Sequence, residues 1–99
     1  MKYTTFTAGV IVAAEDISEK VTWDEAMHEL VDGWRLPTKS ELALLYKQRK
    51  EIGGFDRASY WSSSKYDDHF AWTQSFNSGH QNYYSTSSTC LVRAVKDEY

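Results

Sequence analysis

The segment Gly33-Trp34-Arg35-Leu36-Pro37-Thr38, followed by Glu41-Leu42, constrains the fold of this chain more than any other. Glycine closes a helix easily because it tolerates the left-handed conformation that other residues resist. Proline fixes its own backbone and holds the residue before it extended. Thr38 with Glu41 three positions on is a capping box, in which hydroxyl and carboxylate satisfy free backbone N–H groups reciprocally. The segment therefore predicts a helix ending at Gly33, a tight corner, and a second helix opening at Thr38. Thr22 with Glu25 is the same device upstream and marks the start of the first helix.

Hydrophobic periodicity fills in the rest. Trp23, Ala26, Met27, Leu30, Val31 and Trp34 recur at helical spacing, with Asp24, Glu25, His28, Glu29 and Asp32 on the other side. In the second helix Leu42, Leu45 and Tyr46 share a face, Leu44 flanks it, and Gly53-Gly54 ends the pattern. Lys47, Arg49 and Lys50 stand near the C-terminus, where cations complement the helix dipole. Residues 3–13 alternate weakly and read as one or two short strands broken at Gly9. Tyr60 to Ser64 is a short strand. Phe70, Trp72 and Phe76 alternate with Ala71, Thr73 and Ser75, and after the turn Asn77-Ser78-Gly79 the segment Gln81 to Thr86 pairs back as a hairpin. Leu91 to Lys96 is the last strand, with Val92 and Ala94 on one face and Leu91, Arg93 and Val95 on the other. Helices early and antiparallel strands late make an α+β domain, two helices packed on a small antiparallel sheet.

A chain of 99 residues makes one domain, residues 1–99, with room for one modest core. Four Trp, seven Tyr and four Phe supply large areas to bury. The single cysteine, Cys90, allows no internal disulfide and fits a reducing compartment. The start of the chain is too polar for a signal peptide, and no apolar run reaches membrane-span length, so a cytoplasmic, membrane-free protein is expected. The net charge of −3 is uneven: residues 1–33 carry seven acidic side chains against Lys2 and Lys20, whereas residues 34–57 are net basic. Such polarity can steer a partner.

Five blocks follow in fixed order: Trp23-x-x-Ala26; Gly33 to Thr38 with Glu41-Leu42; Tyr60-Trp61-Ser62-Ser63; Ala71-Trp72-x-x-x-Phe76; and Val92-Arg93-x-Val95. In this the chain resembles the C-terminal domain family of collagen-like bacterial adhesins, a family also found in short bacterial and phage proteins. The resemblance covers residues 22–96. It implies a C-type-lectin-like fold related to the sulfatase-modifying-factor group. It assigns structural roles to Trp23, Leu30, Trp34, Arg35, Trp61, Trp72 and Ala94, with the three tryptophans at 34, 61 and 72 buried. Relatives often carry cysteines at the positions of Leu30 and Ala94, and a large residue packed near a small one can fill the space of that disulfide. This departure implies a version adapted to the cytoplasm. Arg35, between apolar neighbours at the corner, is expected to be partly buried and held by carbonyls or a carboxylate.

Chemistry-bearing residues are sparse. Asp67-Asp68-His69 offers hard ligands, but three adjacent residues converge poorly on one ion, so no metal and no cofactor is expected. The glutamate-proline-asparagine signature of calcium-dependent lectins is missing. Cys90 could pair with His28, His69 or His80, yet it precedes an apolar strand, which favours an inert thiol. No nucleophile elbow or phosphate-binding glycine loop occurs, and no catalytic residue is assigned. Nucleic acid fits the acidic chain poorly.

Binding is the remaining class. Tyr66, His69, His80, Tyr83 and Tyr84 stand among Ser, Asn and Gln, a paratope-like composition, and Gln74 lies on the Trp72 face. Glu25 and Glu29 offer an acidic alternative surface. The expectation is a small non-enzymatic modulator that binds another protein, and for a phage-encoded copy an inhibitor of a host or defence protein. A carbohydrate or small-ligand module is the alternative, and an enzyme using Cys90 or a histidine ranks last.

Overall fold

The computed structural model describes residues 3–5, 9–17 and 19–97, so residues 6–8 of the weakly alternating N-terminal stretch lie outside the described residues. In chain order the elements are β1 (Tyr3–Thr5), β2 (Val10–Ala13), β3 (Val21–Thr22), α1 (Trp23–Glu29), β4 (Trp34–Arg35), α2 (Lys39–Lys47), α3 (Arg49–Ile52), β5 (Ser59–Lys65), β6 (Phe70–Ser75), β7 (Gln81–Ser85), β8 (Thr89–Cys90) and β9 (Val95–Asp97). They form an α+β domain with three antiparallel sheets, ordered β1-β2-β9-β4, β3-β8 and β5-β6-β7.

Both capping boxes form. Thr22 Oγ1 accepts from the Glu25 N–H at 3.3 Å, and the Glu25 carboxylate accepts from the Thr22 N–H at 2.9 Å. Thr38 Oγ1 accepts from the Glu41 N–H at 3.2 Å, and Glu41 Oε1 accepts from the Thr38 N–H at 2.8 Å. Each box satisfies two otherwise orphaned groups at a helix start.

The β5-β6-β7 sheet is the wall between two cores. Neighbouring residues of a strand point to opposite faces, so Tyr60 and Trp61 enter different clusters. Tyr60 joins Val10, Val12, Leu42, Leu45, Phe76, Leu91 and Val95 on the α2 side. Trp61 joins Ala26, Leu36, Ala71, Cys90 and Val92 on the α1 side. Its indole Nε1 donates to the Val21 carbonyl at 2.8 Å, so no polar atom of this buried ring is left unpaired. Residues 91–95 thread between the clusters and are buried throughout.

Several expectations need correction. The first helix ends at Glu29, four residues before Gly33, because Leu30 turns extended. Asp32 and Gly33 then take positive φ in a separate turn that delivers Trp34 to β9. The apolar stripe is accordingly cut short: Met27 is 42% exposed and Val31 64% exposed. Trp34 and Trp72 are half-buried, and of the three tryptophans expected in the core only Trp61 is there. Leu30 packs against the α1-side cluster that includes Val92, while Ala94 is wholly buried but belongs to neither cluster. The last strand is split: Thr89 and Cys90 pair with β3, Leu91 makes a single bridge to Tyr60, residues 92–94 are not in a strand, and Val95 to Asp97 pair with β2.

Two arginines lock this frame. Arg35 at the corner grips Glu41 with both Nη atoms, at 2.8 and 2.9 Å, and Asp97 with Nη2 at 2.9 Å. Nη1 also donates to the Leu36 carbonyl at 3.1 Å, so the expected carboxylate and carbonyl partners are both present. Glu41 therefore caps α2 and anchors the corner at once. The Arg35 hydrogen bonds, ahead of the backbone bond from Thr38, hold its carboxyl below the usual glutamate range. Arg93 is fully buried and donates to the carbonyls of Ala13 and Gly53 at 3.2 and 3.0 Å and to Asp16 at 3.1 Å. Its Nη2 lies 3.1 Å from the Asp16 carboxylate as an ion pair, outside hydrogen-bond geometry. Its guanidinium also stacks over Phe55 at 4.0 Å. Tyr60 donates its hydroxyl to Asp16 at 2.9 Å. Gly54 is required beside this network: its φ is +80°, and a Cβ there would meet Arg93 Nη2 at 3.0 Å.

Candidate functional site

The β6–β7 ladder pairs Trp72 with Tyr83, so these rings share one face of the sheet. Tyr66, just beyond β5, lays its ring flat on Tyr83, with centroids 3.9 Å apart and planes 5° from parallel. Trp72 meets both edge-on, at 5.6 Å from Tyr66 and 5.4 Å from Tyr83, and Phe70 meets Tyr83 at 5.7 Å. The Lys39 ammonium, at the start of α2, sits 3.5 Å from the Trp72 ring centroid. Mutual stacking fixes these rings without burying them. Tyr66 is 50% exposed and Tyr83 45% exposed. The hydrogen bond between the two hydroxyls raises the Tyr66 phenol above its ordinary pKa.

The residues expected to bind do not form one surface. Tyr66 and Tyr83 come together. Tyr84 pairs with Ala71 and points to the opposite face. Gln74 is 1% exposed, which removes it from any binding surface. Its Nε2 donates to the Gly79 and Ser75 carbonyls at 2.9 and 3.2 Å and so closes the β6–β7 turn. A buried amide needs such partners, and the turn carbonyls supply them. His69 and His80 are both exposed, but they stand in the turns at opposite ends of β6. Glu25 is exposed and spends its carboxylate on the cap, where the Thr22 N–H holds its pKa low. Glu29 lies at a cavity of about 330 Å³ lined by Ile17, Leu30, Val31, Asp32 and Trp34. Of the structural set, Trp23 donates its indole N–H to the Ser62 carbonyl at 2.9 Å and ties α1 to β5.

Other candidates find local employment. Asp67 Oδ1 accepts from the His69 N–H at 2.8 Å within the β5–β6 turn. Among the described residues no three His, Cys, Asp or Glu side chains converge as metal ligands. Cys90 is 2% exposed, and burial pushes its thiol up to about 12, far from the thiolate that nucleophilic chemistry uses. No helix of the described residues is long and apolar enough to cross a membrane.

Sequence reasoning placed Trp72 in the core and overlooked Phe70 and Lys39. The available signal was the first turn of α2, Lys39-Ser40-Glu41, which is polar and cannot cover the sheet beneath it. Among curated proteins, none matches the chain. The family model of the Lcl C-terminal domain matches residues 7–96. With the ordered blocks carried on this α+β frame, the chain belongs to the Lcl C-terminal domain family.

Proposed function

We propose that this domain is a non-enzymatic binding module of C-type-lectin-like fold, acting in the cytoplasm, that engages another protein through the Tyr66–Phe70–Trp72–Tyr83 face. The observation that carries the reading is the exposed, pre-stacked pair Tyr66–Tyr83 on Trp72. Contiguous exposed aromatic surface calls for an explanation that scattered surface apolar residues do not. Rings already held in place lose little entropy on binding, and Tyr and Trp dominate interface hot spots. The inert character of Cys90 supports a binding role over covalent chemistry.

The test is quantitative capture from bacterial lysate with the wild-type domain, Tyr83→Ala, and the double variant Glu25→Lys/Glu29→Lys. The reading expects a stoichiometric protein retained by wild type and the charge-reversed variant, and reduced at least about tenfold by Tyr83→Ala. Equal retention by Tyr83→Ala would overturn it.

A further inference from the structure

On the opposite face of the β5-β6-β7 sheet lies a second concavity, about 270 Å³, lined by Lys20, Arg57, Ala58, Ser59, Tyr84, Thr89 and Cys90. We infer that this cavity binds the phosphoryl group of a phosphomonoester. Its lining residues, drawn from four parts of the chain, include a lysine, an arginine and three hydroxyl-bearing side chains, and no Asp or Glu. The ion pairs among the described residues are Arg35 with Glu41 and Asp97, and Arg93 with Asp16. Among the described residues neither Lys20 nor Arg57 is part of these pairs, and both side chains are exposed.

The charge count selects the ligand class. Two cations balance a phosphomonoester, which is close to dianionic at neutral pH. A carboxylate or a sulfate monoester carries a single charge and would leave one cation uncompensated. The donor chemistry agrees. Guanidinium binds tetrahedral oxyanions through two parallel N–H donors, the ammonium adds a point charge, and each hydroxyl can donate once. Tyr84 and Ser59 hydrogen-bond to each other through their hydroxyls at 3.4 Å, which positions both oxygens at the cavity wall and leaves one O–H of the pair to donate to a ligand. Cys90 forms part of that wall as a buried, protonated thiol and brings no negative charge. This site is separate from the aromatic face, because Tyr84 and Tyr83 point to opposite sides of β7.

Calorimetry on the whole chain with phenyl phosphate and phenyl sulfate tests the inference, at a pH of about 7.5 where the phosphate is dianionic. Phenyl phosphate is expected to bind with a Kd of about 1 mM or tighter, and phenyl sulfate at least about tenfold more weakly. Arg57→Ala and Lys20→Ala are each expected to weaken phenyl phosphate about tenfold, while Lys50→Ala stays within about twofold. Lys20, Arg57 and Lys50 are all exposed, so these variants keep the fold. Phosphoserine and a phosphoserine peptide flanked by Gly and Ser distinguish the source. Equal affinity assigns the site to a free metabolite, and tighter peptide binding assigns it to a phosphorylated protein. Equal affinity for phenyl sulfate and phenyl phosphate, no heat from any phosphomonoester at about 10 mM, or indifference to Arg57→Ala would overturn the inference.

Discussion

One face of the β5-β6-β7 sheet carries aromatic rings at both ends, and the two ends meet different fates. At one end Tyr60 and Phe76 lie under Leu42 and Leu45 of α2, with Phe55 stacked on Phe76 at 4.3 Å. At the other end Trp72, Tyr83 and Tyr66 stack on one another in the open. The residues are of one chemical kind on one sheet, so what separates core from surface is coverage. The nine residues of α2 span only about 13 Å, and its first turn is polar. Cover ends where Lys39 sits on Trp72. The comparison teaches that an aromatic alternation identifies a strand face and leaves open what lies against it.

Substitutions can break this comparison, and the largest effects belong to the covered rings. Trp61→Ala and Phe76→Ala should each cost about 3–5 kcal/mol in denaturant melts, because each empties a closed cluster. Losses below about 1 kcal/mol would mean the sheet is not the wall between two cores. Trp34→Ala should cost less, about 1–2 kcal/mol, since the ring is only half-buried at the corner. A cost as large as that of Trp61→Ala would return Trp34 to the core.

Glu41→Gln should cost about 1 kcal/mol at neutral pH, through the weakened cap and the lost Arg35 pair. The sign of its pH dependence follows from the depressed folded-state pKa. The stability contributed by the carboxylate is full above the ordinary value of 4.5 and is lost as pH falls through the lower folded value. Melts of the Gln variant should therefore be flatter than wild type across that acid window. Parallel curves would place the acid sensitivity elsewhere. Smallest of all is Tyr83→Ala, expected to shift stability by no more than about 1 kcal/mol, as befits a ring 45% exposed. A cost of core size would show the aromatic face to be a covered layer.

Local chemistry was the most legible part of the sequence. The capping boxes at Thr22 and Thr38 depend on residues three apart, and both formed. The hairpin β6–β7 and the carboxylate clamp on Arg35 could likewise be read from nearby residues. Long-range coverage was not legible. Trp72 and Phe76 share an alternation, yet Phe76 lies under the apolar side chains of α2 while Trp72 meets the helix at its polar first residue, Lys39. Arg93 was read as one side of a strand, but its meaning depends on Asp16, whose position 77 residues earlier in the chain no local pattern reveals. Gln74 looked like a surface contact because the turn carbonyl of Gly79 that satisfies it becomes visible only in three dimensions. At the site, Tyr66 and Tyr83 were anticipated, whereas the separation of Tyr84 onto the other face follows from strand register.

The central claim is that the uncovered aromatic end is a binding face. Its most direct test is the affinity of the captured protein for wild type and Tyr83→Ala, measured at two salt concentrations. Loss of a desolvated aromatic hot spot predicts at least about thirtyfold weaker binding for the variant, with nearly the same ratio at both salts. Unchanged affinity of Tyr83→Ala would contradict the claim.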